Sequence, residues 1–256
     1  MKKASFYTVL ESNFFPLGSI WAQSLLDIMD EKINKIFIYD IGLLPYQKQF
    51  LSKLSDKIKI FGKNETIRGE WVHDPKWREA VSRKTKGLLE ICQEENYPIV
   101  MMDSDTMIVS DISDEIHQGC NFQVCERKDK FTNGDGHWLT HIGCWFVVHN
   151  EQGKEFLSNW SNLISTTEGA HRETPALCAL LAESKSLNYT ENIDAIVCAP
   201  KYKDEAKVLH FKSEGPNHKI SLPYERINMY IDHSPQPVNP KVSYKISEYA
   251  SLTPLN

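Results

Sequence analysis

Glycine is sparse here, with 12 residues in 256, and neither G-x-G-x-x-G nor G-x-x-x-x-G-K-[ST] occurs. Those loops let backbone approach or cradle phosphates, so their absence argues against dinucleotide-dependent and P-loop enzymes. The six cysteines (92, 120, 125, 144, 178 and 198) form no C-x-x-C pair and no disulfide-dense pattern. They read as reduced, mostly buried thiols in a cytoplasmic protein. No apolar run reaches the roughly 18–20 residues that a membrane helix needs. The start, Met1-Lys2-Lys3, meets Glu11 and Asn13 too early for a signal peptide and reads as the lead-in to a strand. There is no basic excess either. Lys and Arg total 29 against 34 Asp and Glu, a net charge of −5, so the electrostatic footprint of a nucleic-acid or anionic-lipid binder is missing.

What is present is an ordinary globular composition, 41% hydrophobic and 11% aromatic, long enough for one substantial α/β domain. Strands are expected at 4–10, 35–39, 57–61 and 99–102, and helices at 17–29, 45–54 and 77–95. The last of these helices carries Trp77, Ala80, Val81, Leu88, Ile91 and Cys92 on its inner side. This alternation predicts βαβ crossovers and a mostly parallel sheet flanked by helices. Further along, strands are expected at 121–125, 142–148 and 207–211, and helices at 151–165 and 174–184. Four prolines after Ser234 mark residues 234–256 as an extended tail to a domain spanning 1–233.

The informative segment is Ile99-Val100-Met101-Met102-Asp103-Ser104-Asp105. Two carboxylates one residue apart follow a uniformly apolar strand, and ligands collect beyond the carboxyl ends of such strands. Close carboxylates raise each other's pKa unless a cation neutralises them. A hard divalent ion, Mn²⁺ or Mg²⁺, would do so and keep coordination sites for phosphate oxygens. Far downstream, Val208-Leu209-His210 precedes a loop containing Lys212, Gly215, His218 and Lys219. An imidazole can complete a carboxylate metal site, and a lysine can meet a diphosphate. His137 and His141 are four apart, but Gly134 and Gly136 oppose a helix there, and the Glu of H-E-x-x-H is missing.

Together these features resemble the GT-A nucleotide-sugar glycosyltransferase superfamily, and most closely its glycogenin and galactosyltransferase-like family 8, over residues 4–220. The resemblance rests on the opening strand and helix, Tyr39-Asp40-Ile41-Gly42-Leu43, the long helix, Asp103-Ser104-Asp105 and His210. It implies a transferase that moves sugar from a UDP-type donor to a saccharide or other hydroxyl acceptor, with Mn²⁺ (or Mg²⁺) held by Asp103, Asp105 and His210. Donor contacts are implied at Val9, Glu11, Asn13, Ser104, Gly215 and Lys219, with Lys212 and His218 as alternatives to Lys219. The long helix of the family often turns a basic residue to the donor. Arg83, Lys84 and Lys86 are the candidates, and Lys86 joins the donor-binding set. Glu173 opens a helix where the family often has Asp-Gln, and is taken as a third catalytic acid. The loop after His210 departs from the family pattern, His-x-x-Gly-x-x-Lys-Pro-Trp.

The family lean is towards retention of configuration. Inversion would need a carboxylate base, for which Asp129, Asp135 and Glu173 are candidates. Two rival readings stand beside the transferase. A haloacid dehalogenase-type phosphohydrolase also carries D-x-D after a strand, but Thr or Val normally stands where this chain has Met107. The other is a non-catalytic nucleotide-sugar binding module on the same fold.

Overall fold

The computed structural model describes residues 3–62, 75–132, 138–166, 173–184, 187–191, 196–198 and 207–210. In chain order these form β1 (Ala4–Leu10), α1 (Phe15–Met29), β2 (Ile33–Asp40), α2 (Pro45–Leu54) and β3 (Ile58–Phe61). Then come α3 (Pro75–Ile91), β4 (Ile99–Met102), β5 (Thr106–Ile108), β6 (Phe122–Thr132) and β7 (Trp138–Val148). The described elements end with α4 (Glu151–Thr166), α5 (Glu173–Glu183), β8 (Tyr189–Glu191), β9 (Ile196–Cys198) and β10 (Val208–His210). A seven-stranded sheet runs β3-β2-β1-β4-β7-β6-β8, and a three-stranded sheet runs β5-β10-β9. Strands β3, β2, β1 and β4 are mutually parallel, and β7 alone opposes its neighbours β4 and β6.

The period-two alternation of a strand explains how the helices cover both faces. In β4, Val100 and Met102 join Phe6, Leu10, Trp21, Leu25 and Trp145 in the core under α1 and α2. Ile99 and Met101 point the other way, to Tyr7, Leu88, Phe146, Phe156 and Trp160 under α3, α4 and α5. Each fully buried side chain of this size contributes about 1.5–3 kcal/mol. Phe122 stacks on Phe146 at 5.6 Å, and Trp160 meets Phe146 edge-on at 5.0 Å, which fixes α4 against the antiparallel side of the sheet.

The β2–α2 turn shows its chemistry locally. Asp40 Oδ1 accepts hydrogen bonds from the backbone N–H of Gly42 (2.8 Å) and Leu43 (2.7 Å), while its other oxygen pairs with Lys48. Gly42 sits at φ 130°, a conformation that a side chain resists. Pro45 then opens α2, where its missing N–H costs nothing.

Two expectations needed adjustment. The helix expected at 77–95 ends at Ile91, because the next turn tightens: Gln93 N bonds Glu90 O and Glu94 N bonds Ile91 O. The short strands expected at 121–125 and 142–148 are the feet of an eleven-residue hairpin pair, β6 and β7. Residues 133–137 and the expected tail at 234–256 lie outside the described residues.

Candidate metal centre and its surroundings

Beyond Met102 the chain leaves the sheet at its carboxyl edge. Alternation along β4 continues through Ile99 and Met101 to Asp103, which therefore faces α3. Thr8 Oγ1 donates to Met102 O (2.8 Å), and Thr106 Oγ1 donates to Asp103 O (2.7 Å), holding the turn from both sides. Strand β5 is tied to α1 by Ile108 N, which donates to Ser24 Oγ at 3.0 Å.

His210 arrives by strand pairing. Strand β10 lies antiparallel to β5 with Val208 opposite Ile108, Leu209 opposite Met107 and His210 opposite Thr106. Its imidazole is 2% exposed, and Nε2 lies 3.3 Å from Asp105 Oδ1 and 3.5 Å from Asp103 Oδ2. One ligand atom from each of the three residues falls within 4.8 Å of the others. These spacings fit a shared ion. Ligand atoms on adjacent corners of an octahedron with bonds of about 2.1 Å stand about 3 Å apart, whereas a charge-assisted imidazolium–carboxylate hydrogen bond closes to about 2.7–2.9 Å. Two carboxylate oxygens and one imidazole nitrogen are a donor set suited to Mn²⁺ or Mg²⁺, with positions left for phosphate oxygens.

A fourth group touches the cluster. Lys84 Nζ lies 2.6 Å from Asp103 Oδ1 and 3.8 Å from Glu173 Oε1. Burial opposes its charge, yet Asp103, Glu173 and Asp105 together raise its pKa well above the ordinary lysine value. Burial likewise pushes the Asp105 carboxyl up, but His210 and Lys84 outweigh it and hold the group below its ordinary value. The three acids and two bases form one cluster in which the carboxylates outnumber the cations.

The basic residue that α3 turns to the acids is thus Lys84, not Lys86, which is exposed. The helical repeat explains this. Lys84 lies four residues from both Ala80 and Leu88 on the inward stripe, whereas Lys86 is turned about 200° away. That stripe was visible in the sequence and is the signal that selects Lys84. Glu173, the first residue of α5, stands beside Lys84, and its carbonyl accepts from Trp160 Nε1 at 2.9 Å. Extending the Tyr7–Met101 register by two residues puts Val9 level with Asp103. Glu11 follows at the same edge, half-buried like Val9 and Ser104, whereas the side chain of Asn13 is not described. Lys212, Gly215, His218 and Lys219 lie outside the described residues, as does Asp135; Asp129 lies on β6 with its side chain undescribed.

An α/β sheet with four parallel strands, one reversed strand after β4 and an acid pair at its carboxyl edge is the GT-A fold of nucleotide-sugar glycosyltransferases. Solved structures make the likeness concrete. The bifunctional glycosyltransferase WbbM superposes with a TM-score of 0.60 at 11% identity, covering 97% of this chain and 52% of that one. The galactosyltransferase LgtC, in complex with donor and acceptor sugar analogues, gives 0.57 at 9% identity, covering 94% and 99%. The glycosyltransferase GlyE of Streptococcus pneumoniae gives 0.52 at 11% identity, covering 98% and 64%. This chain spans about half the WbbM chain and just under two thirds of the GlyE chain. At these identities the likeness establishes the fold. No family model and no curated protein matches the chain in sequence. Among the described residues, no helix is long and apolar enough to cross a membrane.

Proposed function

We propose that the chain is a metal-dependent glycosyltransferase that moves a sugar from a nucleotide-diphosphate donor, UDP-linked, to a saccharide or other hydroxyl acceptor. The observation that carries this reading is the convergence of Asp103, Asp105 and His210 at the carboxyl edge of a GT-A sheet. Asp103 and Asp105 would each offer a carboxylate oxygen to Mn²⁺ or Mg²⁺, and His210 its Nε2. The bound ion would supply Lewis-acid stabilisation of a departing diphosphate. For His210 to serve as a ligand, its Nε2 must offer a lone pair.

The residues of the chain divide the remaining work. In this reading Val9, near the end of β1, and Glu11 and Asn13, just past it, meet the nucleoside, and Ser104, between the acids, meets the donor. Lys84 keeps a fixed positive charge at the rim where a diphosphate needs one. Gly215 and Lys219 complete the phosphate contacts in this reading. Retention of configuration follows the family resemblance. Of the carboxylates considered for an inverting route, Glu173 is the one described beside the cluster. A cytoplasmic setting is part of this reading and rests on a cysteine pattern with no C-x-x-C pair.

Calorimetric titration of UDP with and without Mn²⁺ tests the reading. Wild type should bind UDP in a metal-dependent way, and Asp103→Asn and Asp105→Asn should lose that dependence while melting cooperatively. Unchanged Mn²⁺-dependent UDP binding in both variants would sink the proposal. So would a beryllium fluoride adduct on Asp103, which would mark an aspartyl-phosphate enzyme.

A further inference from the structure

Lys84 holds a permanent cation against a group that also suits a divalent ion, and the two positive charges compete for one carboxylate. The ammonium donates to Asp103 Oδ1 at 2.6 Å, while Asp103 Oδ2 faces His210 at 3.5 Å. An ion drawing on Asp103, Asp105 and His210 would repel Lys84 at this short range. The lysine has somewhere to go. Glu173 Oε1 lies 3.8 Å from its Nζ, longer than a hydrogen bond but within reach of a small change along four single bonds.

The backbones on either side are held. Tyr7 Oη donates to Arg83 O at 2.7 Å, and Thr85 Oγ1 donates to Ser161 Oγ at 3.0 Å. A Cβ on Gly87 would stand 2.3 Å from Tyr7 Oη, so α3 is pressed directly onto β1. On the other side, Trp160 Nε1 anchors the carbonyl of Glu173 at 2.9 Å. Relief therefore falls to the side chain of Lys84, since neither helix can yield cheaply.

We propose that Lys84 is the resident counter-ion of the ion-free acid group and swings from Asp103 to Glu173 when a divalent ion arrives, Glu173 being the positioning residue that receives it. No bond is made or broken, because the ammonium keeps its proton and exchanges one carboxylate for another. Metal affinity is then set by a competition internal to the protein. Loading the ion frees Asp103 and re-aims the lysine. The inference rests on the metal-dependent reading above.

The test needs neither donor nor turnover: free Mn²⁺ is followed by electron paramagnetic resonance in titrations of four proteins. These are wild type, Lys84→Met, Glu173→Gln and the double variant. Lys84→Met should bind Mn²⁺ at least about tenfold more tightly, the scale of coupling between two competing ligands. Glu173→Gln should bind about three- to tenfold more weakly, because the displaced ammonium has lost its acceptor. In the Lys84→Met background, Glu173→Gln should change affinity less than about twofold, since no lysine remains to be received. Equal effects of Glu173→Gln in both backgrounds would show a plain long-range charge and overturn the proposal. So would Lys84→Met binding no more tightly than wild type. Equal, measurable affinity in all four would remove this inference and leave the metal reading standing. No binding in four cooperatively melting proteins would remove both. Should Lys84→Met fail to fold, Lys84→Gln carries the same arm.

Discussion

On the β3-β2-β1-β4 side of the sheet, strands run parallel and α1, α2 and α3 make the crossovers. Beyond β4 the chain passes through β5 to β6 and then reverses into β7, which lies between β4 and β6, while β5, β9 and β10 build a second small sheet. The two regions contribute differently to one site. The parallel region delivers Asp103 by a local rule, because a strand covered on both faces must end at the carboxyl edge where the chain meets solvent. The irregular region delivers His210 by pairing β10 with β5, across a sequence separation of about 100 residues. The candidate ligand set thus combines one residue pair placed by the end of a strand with one residue placed by a strand's partner.

The strongest way to break this comparison is to remove the long-range contribution alone. His210→Ala should weaken Mn²⁺ binding at least about tenfold, the lower range seen when metal-site residues are lost, with little change in melting temperature. Leu209→Pro should cost metal affinity as much by unseating the strand. Strand β10 is central in its sheet, so the lost ladder bond should also cost about 1–3 kcal/mol of stability. Equal metal affinity in His210→Ala and wild type would show that β10 packs beside the site without serving it.

A medium effect is expected from Gly87→Ala in the parallel region. Helix propensity alone would favour alanine by about 0.8–1.0 kcal/mol. The new Cβ, however, would sit 2.3 Å from Tyr7 Oη and 2.5 Å from Tyr39 Cδ2, both on buried rings. Overpacking of this kind costs about 1–3 kcal/mol, so the net change in chemical denaturation should be destabilising. A more stable Gly87→Ala protein would show that α3 is not held where Lys84 needs it.

The smallest effect concerns the antiparallel region. His149 Nε2 lies 3.1 Å from Gln123 Oε1, and burial, with His117 nearby, lowers its pKa from 6.5 to about 4. Between those values the unfolded chain binds a proton that the folded chain does not, so stability is lost as pH falls through that window. His149→Asn should flatten this part of the stability–pH curve while leaving metal affinity unchanged. An identical slope in variant and wild type would remove His149 from the account.

Regular elements were legible wherever the periodic signal was long enough. Strand β1, helix α2 and strand β4 fall at the expected residues, because apolar runs and Pro45 mark them. Strands β5, β8 and β9 were not foreseen. Three residues carry no readable period, and such strands exist only because a partner supplies the ladder. Among Arg83, Lys84 and Lys86 the expectation fell on Lys86, and it is the place of Lys84 on the Ala80–Leu88 stripe, meeting the side-chain direction of Asp103, that puts Lys84 at the acids.

The sequence by itself determined the acid pair on an apolar strand, the α/β alternation and the candidacy of a late histidine, because these depend on near neighbours and on hydrophobic period. Only the tertiary structure decided that His210 stands 3.3 Å from Asp105, and that Lys84 and Glu173 close the cluster from α3 and α5. Those distances come from strand register and helix packing between segments about 20 to 100 residues apart. Register and packing are properties of surfaces brought together by burial, and no local pattern of side chains encodes them.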